Sequence, residues 1–357
     1  MKRTLQASLM TLVLLLPAAQ TRAADPDPAM NAPDQVAWEL FVQVNAPAAT
    51  QGNNNVLFET WASDGDTFTQ NPQWPGTAPS PKVLKVPALI ARAPRQPGLE
   101  PRVLPGGTEE VRRNKTTFDF IVQNKLYLTS GLVAAFKAGI PISFPIDSIE
   151  VKANWKPITP GMDTSSYHVN TASDGKQYAL VSMHIISKAV PNWTWATFEH
   201  KDNAGRCDYI GCSDKFGAVV QFVAPKTPLG GQYPACAKTA AVKKLFSDGK
   251  LDSVFDNYCL KGSQTDFITA TGLVTRLGNS VTEHGFVDSS SCMTCHSRAA
   301  FNAGGQDVYG AGFIGNASPN GAPLASWFWN NPGKPNQTMK AMQADFVWAI
   351  PLNAIGP

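Results

Sequence analysis

One short string, Cys-Met-Thr-Cys-His at residues 292–296, restricts this chain more than any other feature of its sequence. Exported bacterial chains use a Cys-x-x-Cys-His string to attach haem covalently. The two thiols add across the two vinyl groups of the porphyrin, and the adjacent imidazole binds the iron. The string therefore predicts one covalently attached haem c, held by Cys292, Cys295 and His296.

Two other kinds of site use the same residue types. A redox-active dithiol also needs Cys-x-x-Cys, but it follows a strand in a βαβ unit, whereas the residues just before Cys292 read as a turn. A tetrahedral zinc site would combine Cys292, Cys295 and His296 with a fourth ligand such as His284, and nothing in the spacing favours that set. Haem attachment is the interpretation that we prefer.

The first 23 residues have the pattern of a secretory signal peptide. Lys2 and Arg3 form a basic start, an apolar run extends from Leu5 to Leu16, and small residues precede a cleavage point after Ala23. The apolar run is well short of the roughly 20 residues that a membrane-spanning helix needs. The sequence therefore predicts export to the periplasm with no membrane anchor, which is also where haem attachment takes place.

Net charge limits the choice of partners. The full chain carries +3 at pH 7, and cleavage after Ala23 removes Lys2, Arg3 and Arg22, which leaves zero. A nucleic-acid or anionic-lipid partner normally requires a basic excess, so neither is expected. We expect redox partner proteins instead, with a small-molecule substrate as the alternative.

Four cysteines remain outside the motif, and an even number in an oxidising compartment predicts two disulfides. Three pairings are possible. The sequence favours Cys207 with Cys212 across a short loop, and Cys236 with Cys259 across a segment that reads as two short helices turning at residues 248–249. A metal site is disfavoured because these four residues contain no paired Cys-x-x-Cys spacing.

Hydrophobic periodicity predicts helices in the N-terminal half of the chain. An amphipathic helix is expected from Asp34 to Asn45, and a longer one over residues 118–136. Between them, nine prolines in residues 72–105 predict extended, wrapping chain.

From residue 147 the spacing of apolar residues changes to every second position, which predicts a central sheet. The expected strands begin at Ile149 and cover residues 177–188 and 193–200. A short loop near Val190 and Pro191 makes the last two an antiparallel hairpin, and a turn centred there would place His184 and His200 on one face. Residues 302–321 read as loops, and Thr338–Trp348 as a final short helix.

These elements predict an α+β fold: N-terminal helices, a central antiparallel sheet, and a C-terminal, mainly helical haem-binding part. The expected division is a signal peptide at 1–23, an α+β domain with the proline-rich segment at 24–230, and a helical c-type haem-binding domain at 231–357.

The motif at 292–296 resembles that of the c-type cytochromes. The chain is also similar to uncharacterised exported bacterial cytochrome-like proteins, which share the segment Trp193–His200 and its continuation through Cys212. The resemblance implies covalent haem with Cys292 and Cys295 as thioether sites and His296 as the proximal ligand. Small soluble cytochromes c carry the motif near their N-terminus, whereas here it lies close to the C-terminus.

The sixth ligand of the iron is left open by the sequence. A methionine would give a closed electron-transfer site, and Met339 or Met342 lies on the expected last helix. A histidine would also close the site, with His200 the first alternative, followed by His284 and His184. An empty position would admit oxygen or peroxide.

Two functions follow from these alternatives. The first is a periplasmic mono-haem c-type cytochrome that transfers electrons by cycling between ferric and ferrous haem. The second is a haem-dependent peroxidase or oxygenase with an open distal site, in which Glu199 or Glu283 would orient an imidazole or donate a proton. The large number of residues before the motif favours the second, and the absence of a second Cys-x-x-Cys-His string favours the first.

Overall fold

The computed structural model describes residues 26–48, 55–76, 81–85, 108–226, 230–284, 286–308 and 321–356. The predicted signal peptide, most of the proline-rich segment and residues 309–320 of the expected loop region lie outside these ranges. Within them, no helix is both long enough and apolar enough to cross a membrane.

Thirteen strands occur in the described ranges. They are β1 (Ala62–Ser63), β2 (Glu109–Arg113), β3 (Ile149–Pro157), β4 (Val169–Thr171), β5 (Gln177–Ser187), β6 (Thr194–His200), β7 (Cys212–Ser213), β8 (Phe222–Val223), β9 (Tyr258–Gln264), β10 (Ala300–Phe301), β11 (Trp329–Asn330), β12 (Thr338–Met339) and β13 (Met342–Gln343).

The α-helices of the same ranges are α1 (Pro26–Asn31), α2 (Pro33–Asn45), α3 (Asp64–Thr67), α4 (Lys115–Gln123), α5 (Thr129–Ala138), α6 (Ala240–Asp248), α7 (Cys292–His296), α8 (Ala325–Phe328) and α9 (Ala349–Asn353). Three short 3-10 helices cover Leu57–Thr60, Ser253–Asn257 and Val287–Ser289.

Seven of the strands form the predicted central antiparallel sheet. Their order is β1-β2-β3-β5-β6-β9, and β4 pairs with β5. The expected hairpin is present as β5 and β6, which pair from Ser182 opposite Glu199 to Ser187 opposite Thr194. Strand β9 adds to β6, so chain from both sides of residue 230 contributes to one sheet.

One face of this sheet packs against α2, whose boundaries agree with the predicted helix at 34–45. Pro33 occupies the first turn, where a missing backbone N–H costs nothing. Phe41 and Trp38 place their rings 4.4 and 5.0 Å from the ring of Phe198. We call this the helix face; alternate residues of β3, β5 and β6 supply its apolar side chains.

The opposite face, which we call the motif face, carries the alternate set of side chains. Lys152 of β3 lies opposite His184 of β5, which in turn lies opposite Thr197 of β6. Trp195, two residues before Thr197, contacts the imidazole of His296. The sheet is therefore one wall of the candidate site.

The predicted placement of His184 and His200 on one face is wrong. His184 is paired with Thr197, so the residues of β6 that share its face are 195, 197 and 199, and His200 points to the helix face. The hairpin turn covers residues 188–193 and is centred between Val190 and Pro191 as expected, but this centre pairs His184 with Thr197, and a register shifted by one residue would be needed to bring His200 to the same face.

The predicted helix at 118–136 is two helices, α4 and α5. Asn124 ends α4, and Lys125 adopts a left-handed backbone with φ of 55° that no α-helix can continue. The apolar spacing is helical on both sides of this break, which is why the period alone does not reveal it.

The prediction of a mainly helical C-terminal part is also wrong. In the described residues of this part the helices are short, and two two-residue strands occupy the segment Thr338–Trp348, where a helix was expected. Met339 in β12 pairs with Trp329, and Met342 in β13 pairs with Phe301. Pairing with distant strands has overridden an apolar spacing that resembles a helix.

Both favoured disulfides, Cys207–Cys212 and Cys236–Cys259, are present. The second joins the chain before α6 to strand β9, and the expected turn at the end of α6 falls at Gly249.

Candidate cofactor-attachment site

The motif forms a single capped helical turn, α7. Ser291 is its N-cap, and the Ser291 hydroxyl oxygen accepts a hydrogen bond from the backbone N–H of Thr294 at 3.4 Å. Residues three apart on a helix lie on the same face, so Cys292 and Cys295 are neighbours there. Both are free thiols; Cys292 is buried and Cys295 half-buried.

Strand β9 fixes this turn to the sheet. The side chain of Gln264, the last residue of β9, accepts a hydrogen bond from the Met293 N–H at 3.1 Å and donates one to the Ser291 hydroxyl at 2.9 Å. The Cys292 N–H donates to the carbonyl oxygen of Leu277 at 3.1 Å. The position of both thiols is therefore set by an edge strand of the central sheet.

The imidazole of His296 is held in one tautomer. Its Nδ1 lies 2.8 Å from the carbonyl oxygen of Phe346, and because a carbonyl can only accept, Nδ1 carries the proton. The lone pair is then on Nε2, to which no other described residue donates a hydrogen bond. Burial lowers the pKa of His296 to about 4, so the ring is neutral at neutral pH.

The turn that presents the Phe346 carbonyl is strained. Asp345 and Phe346 have φ of 47° and 71°, a left-handed conformation that costs a bulky residue of order 1–3 kcal/mol. The Asp345 carboxylate compensates by accepting hydrogen bonds from the Phe144 N–H at 2.7 Å and the Lys188 ammonium at 2.6 Å. Such strain at a ligand-orienting turn is typical of functional sites.

Apolar and aromatic side chains surround the motif. The ring of Trp195 lies 4.7 Å from that of His296, and the Trp348 indole N–H donates to the Cys295 carbonyl oxygen at 3.2 Å. Cys292 and Met293 belong to one large apolar cluster that also contains buried Met342, with half-buried Met339 packed against it. Both candidate methionines are thus in the same cluster as the motif.

Burial raises the pKa of the Cys295 thiol to about 11 and that of Cys292 well above its ordinary value. A dithiol-exchange site requires the opposite shift, because the thiolate is its nucleophile. The direction of both shifts therefore gives no support to the redox-dithiol alternative.

A buried polar group lies beside the motif on the sheet. The Asn279 side-chain oxygen accepts from the N–H groups of Val281 and Thr282, which directs its amide nitrogen to His184 Nε2 at 3.0 Å. His184 therefore accepts this hydrogen bond at Nε2. The carboxylate of Glu283 lies 3.5 Å from the same nitrogen, and Lys152 pairs with Glu109 at 2.9 Å.

His200 is placed away from this group. Its Nε2–H donates to the Ser166 carbonyl oxygen at 3.0 Å, and its Nδ1 accepts from the Asp202 N–H at 3.3 Å. The ring stacks on Tyr167, with centroids 3.7 Å apart, on the helix face of the sheet. Both ring nitrogens are thus engaged on the side of the sheet opposite His296.

His284, another candidate ligand, is half-buried and lines a separate cavity together with Ser280 and Asn203. Among the described residues, no group of three or more His, Cys, Asp and Glu side chains is arranged to hold a metal ion.

Several residues of the site carry no sequence signal. Phe346 acts through its backbone carbonyl, and Gln264 and Asn279 are amides far from the motif in sequence. Lys152 alternates with apolar neighbours in β3, which is also the pattern of a solvent-exposed strand residue. Only the folded arrangement identifies these four.

The chain matches no protein-family model, no curated protein and no solved structure.

Proposed function

We propose that this chain is an exported mono-haem c-type cytochrome that transfers electrons. The observation that carries the proposal is the His296 tautomer, because the hydrogen bond to Phe346 leaves the Nε2 lone pair available beside two unpaired thiols. An imidazole that donates its other N–H to a carbonyl is the usual arrangement of a metal-ligating histidine.

The residues present fit a covalently held haem. Cys292 and Cys295 would form the thioether links, and His296 would bind the iron. A bound haem supplies a one-electron ferric/ferrous couple. The chain itself contributes orientation, through the Phe346 carbonyl, and exclusion of water, through Trp195 and the apolar cluster around the motif. A rigid, apolar surrounding suits an electron carrier because little has to rearrange when the charge changes.

The second candidate is a haem-dependent peroxidase or oxygenase. The buried polar group of His184, Glu283 and Lys152 on the motif face favours it, since such groups hold or move protons in catalysis. An open sixth position on the iron would be required, and this is the property that separates the two functions.

Export to the periplasm is part of the proposal. It is supported by the pattern of the first 23 residues and by two disulfides, which persist in oxidising compartments. We propose redox proteins as partners, because the neutral mature chain provides no electrostatic basis for nucleic-acid binding.

Haem staining of a denaturing gel tests the attachment. The chain is produced in cells competent for cytochrome c maturation, beside Cys292→Ser and a Cys207→Ser/Cys212→Ser control. We expect stain in the wild type and in the control, and a marked loss in Cys292→Ser. No stain in the wild type contradicts the proposal.

Carbon monoxide distinguishes the two functions. Added to the ferrous protein, it leaves the Soret band unchanged if the site is a closed, six-coordinate carrier. An immediate shift indicates an open or labile position and favours the enzyme.

A further inference from the structure

Two buried carboxylates and one lysine lie together behind the motif. The Lys261 ammonium is 3.8 Å from a carboxylate oxygen of Glu199, both side chains are fully buried, and no hydrogen-bond acceptor for this ammonium is found among the described residues. Lys261 is the extra residue of an irregularity in β9, opposite Thr197 and Phe198. Glu283 also acts electrostatically on this lysine.

Each carboxylate is held in place by neighbouring donors. The Ser280 N–H and the Asn203 side-chain amide donate to Glu199 at 3.0 and 3.1 Å, and the Ser280 hydroxyl donates to it as well. The Asn279 N–H donates to Glu283 at 2.6 Å. Because Asn279 and Ser280 are consecutive, one loop links the two carboxylates.

The charges of this group are not balanced. Glu199 and Glu283 contribute two carboxylates and Lys261 one ammonium, while the nearby Lys152 pairs with Glu109. The buried Arg206 cation acts on Glu199 and the Asp208 carboxylate acts on Lys261, so these two influences oppose each other, and the motif contributes a neutral imidazole and two thiols. The group has a net charge of −1, so it can accept one proton without becoming cationic.

A cavity lies against the residues that hold Glu199 in place. A cavity of about 220 Å³ is lined by Ser280, Asn203, Asp202 and His284. The first two of these donate hydrogen bonds to the buried Glu199 carboxylate. Lys261 lies 3.8 Å from this carboxylate, and burial lowers its pKa against the opposing effect of Glu199 and Glu283, which makes it a readier proton donor than an exposed lysine.

The loop that contains Asn279 and Ser280 also contacts the motif. Leu277, two residues before Asn279, accepts the Cys292 N–H through its carbonyl oxygen. Glu283 and Lys152 also act electrostatically on both Cys295 and His296. A change of charge at the iron would therefore be felt by the buried group through a medium of low dielectric constant.

Resting on the proposed haem site, we propose that the Glu199–Lys261–Glu283 group takes up one proton when the haem is reduced. The electron arrives from the redox partner and the proton arrives from water through the cavity, so the total charge of the buried region is unchanged. No other bond is formed or broken. Oxidation returns the electron to a partner and the proton to solvent.

Potentiometry of the haem-loaded protein between pH 5 and 9 tests this coupling. A coupled site loses up to about 59 mV of midpoint potential per pH unit, which is the tenfold change expected for one proton and one electron. We expect Lys261→Met and Glu283→Gln each to reduce this slope by at least half. Glu39→Gln, the same kind of change on the exposed side of α2, should retain the wild-type slope.

A milder variant covers the case in which the buried substitutions prevent folding. Ser280→Ala removes the hydroxyl donor to Glu199, which makes the charged carboxylate less favourable and should move the pH window of the coupling upward.

The outcomes distinguish this inference from the proposed function. Stained, haem-loaded wild type with a pH-independent potential overturns only the proton coupling. The coupling is also overturned if Lys261→Met, Glu283→Gln and Ser280→Ala all keep the wild-type pH slope of the midpoint potential and the wild-type pH window. Absence of haem from the wild type overturns the proposed function and the coupling together.

Discussion

The His296 Nδ1–H donates a hydrogen bond to the carbonyl oxygen of Phe346, 50 residues further along the chain, at 2.8 Å. The acceptor lies on a left-handed turn that Asp345 ties to Phe144 and Lys188. A locally unfavourable backbone therefore sets the orientation of the imidazole, and this leaves the lone pair on Nε2.

One methionine should close the sixth position of the iron. Met342 is buried and Met339 half-buried against the apolar cluster that contains the motif. We predict that either Met339→Ala or Met342→Ala, but not both, converts low-spin haem to high-spin, measured by absorption spectroscopy. If neither variant alters the spectrum, methionine ligation is wrong.

A loss of folding stability in these variants can be distinguished from the loss of an iron ligand. Removing the buried Met342 side chain should cost about 2–5 kcal/mol of unfolding free energy whether or not it binds iron, whereas only loss of a ligand changes the spin state.

Replacement of His200 should leave the haem spectrum unchanged. Both of its ring nitrogens are hydrogen-bonded on the helix face, and burial lowers its pKa to about 4. His200→Gln should lower the unfolding free energy, because Ser166 and Asp202 lose a partner, without altering the Soret or spin-state bands. A high-spin spectrum in this variant would show that His200 reaches the iron.

Acid should destabilise the protein through Glu59. Burial alone would raise the pKa of this carboxyl, but Lys82 at 2.8 Å and His168 at 3.0 Å hold the pKa far below its ordinary value of 4.5. A carboxyl whose pKa is depressed on folding stabilises the protein above its unfolded pKa, and the contribution is lost as the pH falls. Urea unfolding should therefore give a falling free energy below about pH 4.5.

The variant Glu59→Gln isolates this contribution. Its free energy of unfolding at pH 7 should be about 3 kcal/mol lower than that of the wild type, because Lys82 keeps only Glu110 as a buried carboxylate partner. This free energy should also fall less when the pH is lowered. Asp248→Asn, which breaks an exposed helical pair with Lys244, should change stability by only about 0.5 kcal/mol. Equal acid sensitivity of Glu59→Gln and the wild type would contradict the assignment.

The two disulfides should differ in their effect on stability. Loop-closure entropy predicts about 3.4 kcal/mol for Cys236–Cys259, with a sequence separation of 23, and about 2.2 kcal/mol for Cys207–Cys212, with a separation of 5. Urea unfolding of the two double Cys→Ser variants measures both. A larger loss from the shorter loop would contradict this ranking.

The sequence pattern was sufficient for α2, whose apolar residues recur at helical spacing, for β3, whose apolar residues alternate, and for β5 and β6, which are runs buried on both faces. It failed at Lys125, where a left-handed residue interrupts a continuous helical pattern, and around Met339 and Met342, where pairing with Trp329 and Phe301 decides the structure.

Within the site, the motif residues are evident from sequence, and their supports are not. The Phe346 carbonyl belongs to the backbone, and a phenylalanine side chain gives no indication of a left-handed conformation. The relative faces of His184 and His200 depend on a register that one residue reverses. Such features are set by tertiary contacts, so they appear only in the folded chain.

The intact mass of the mature chain under denaturing conditions tests the central claim most directly. Each thiol adds across a vinyl group with no loss of atoms, so chain produced in cells competent for cytochrome c maturation should exceed its polypeptide mass by one complete haem. The Cys292→Ala/Cys295→Ala variant should show the polypeptide mass alone. A wild-type mass without the added haem would contradict the account.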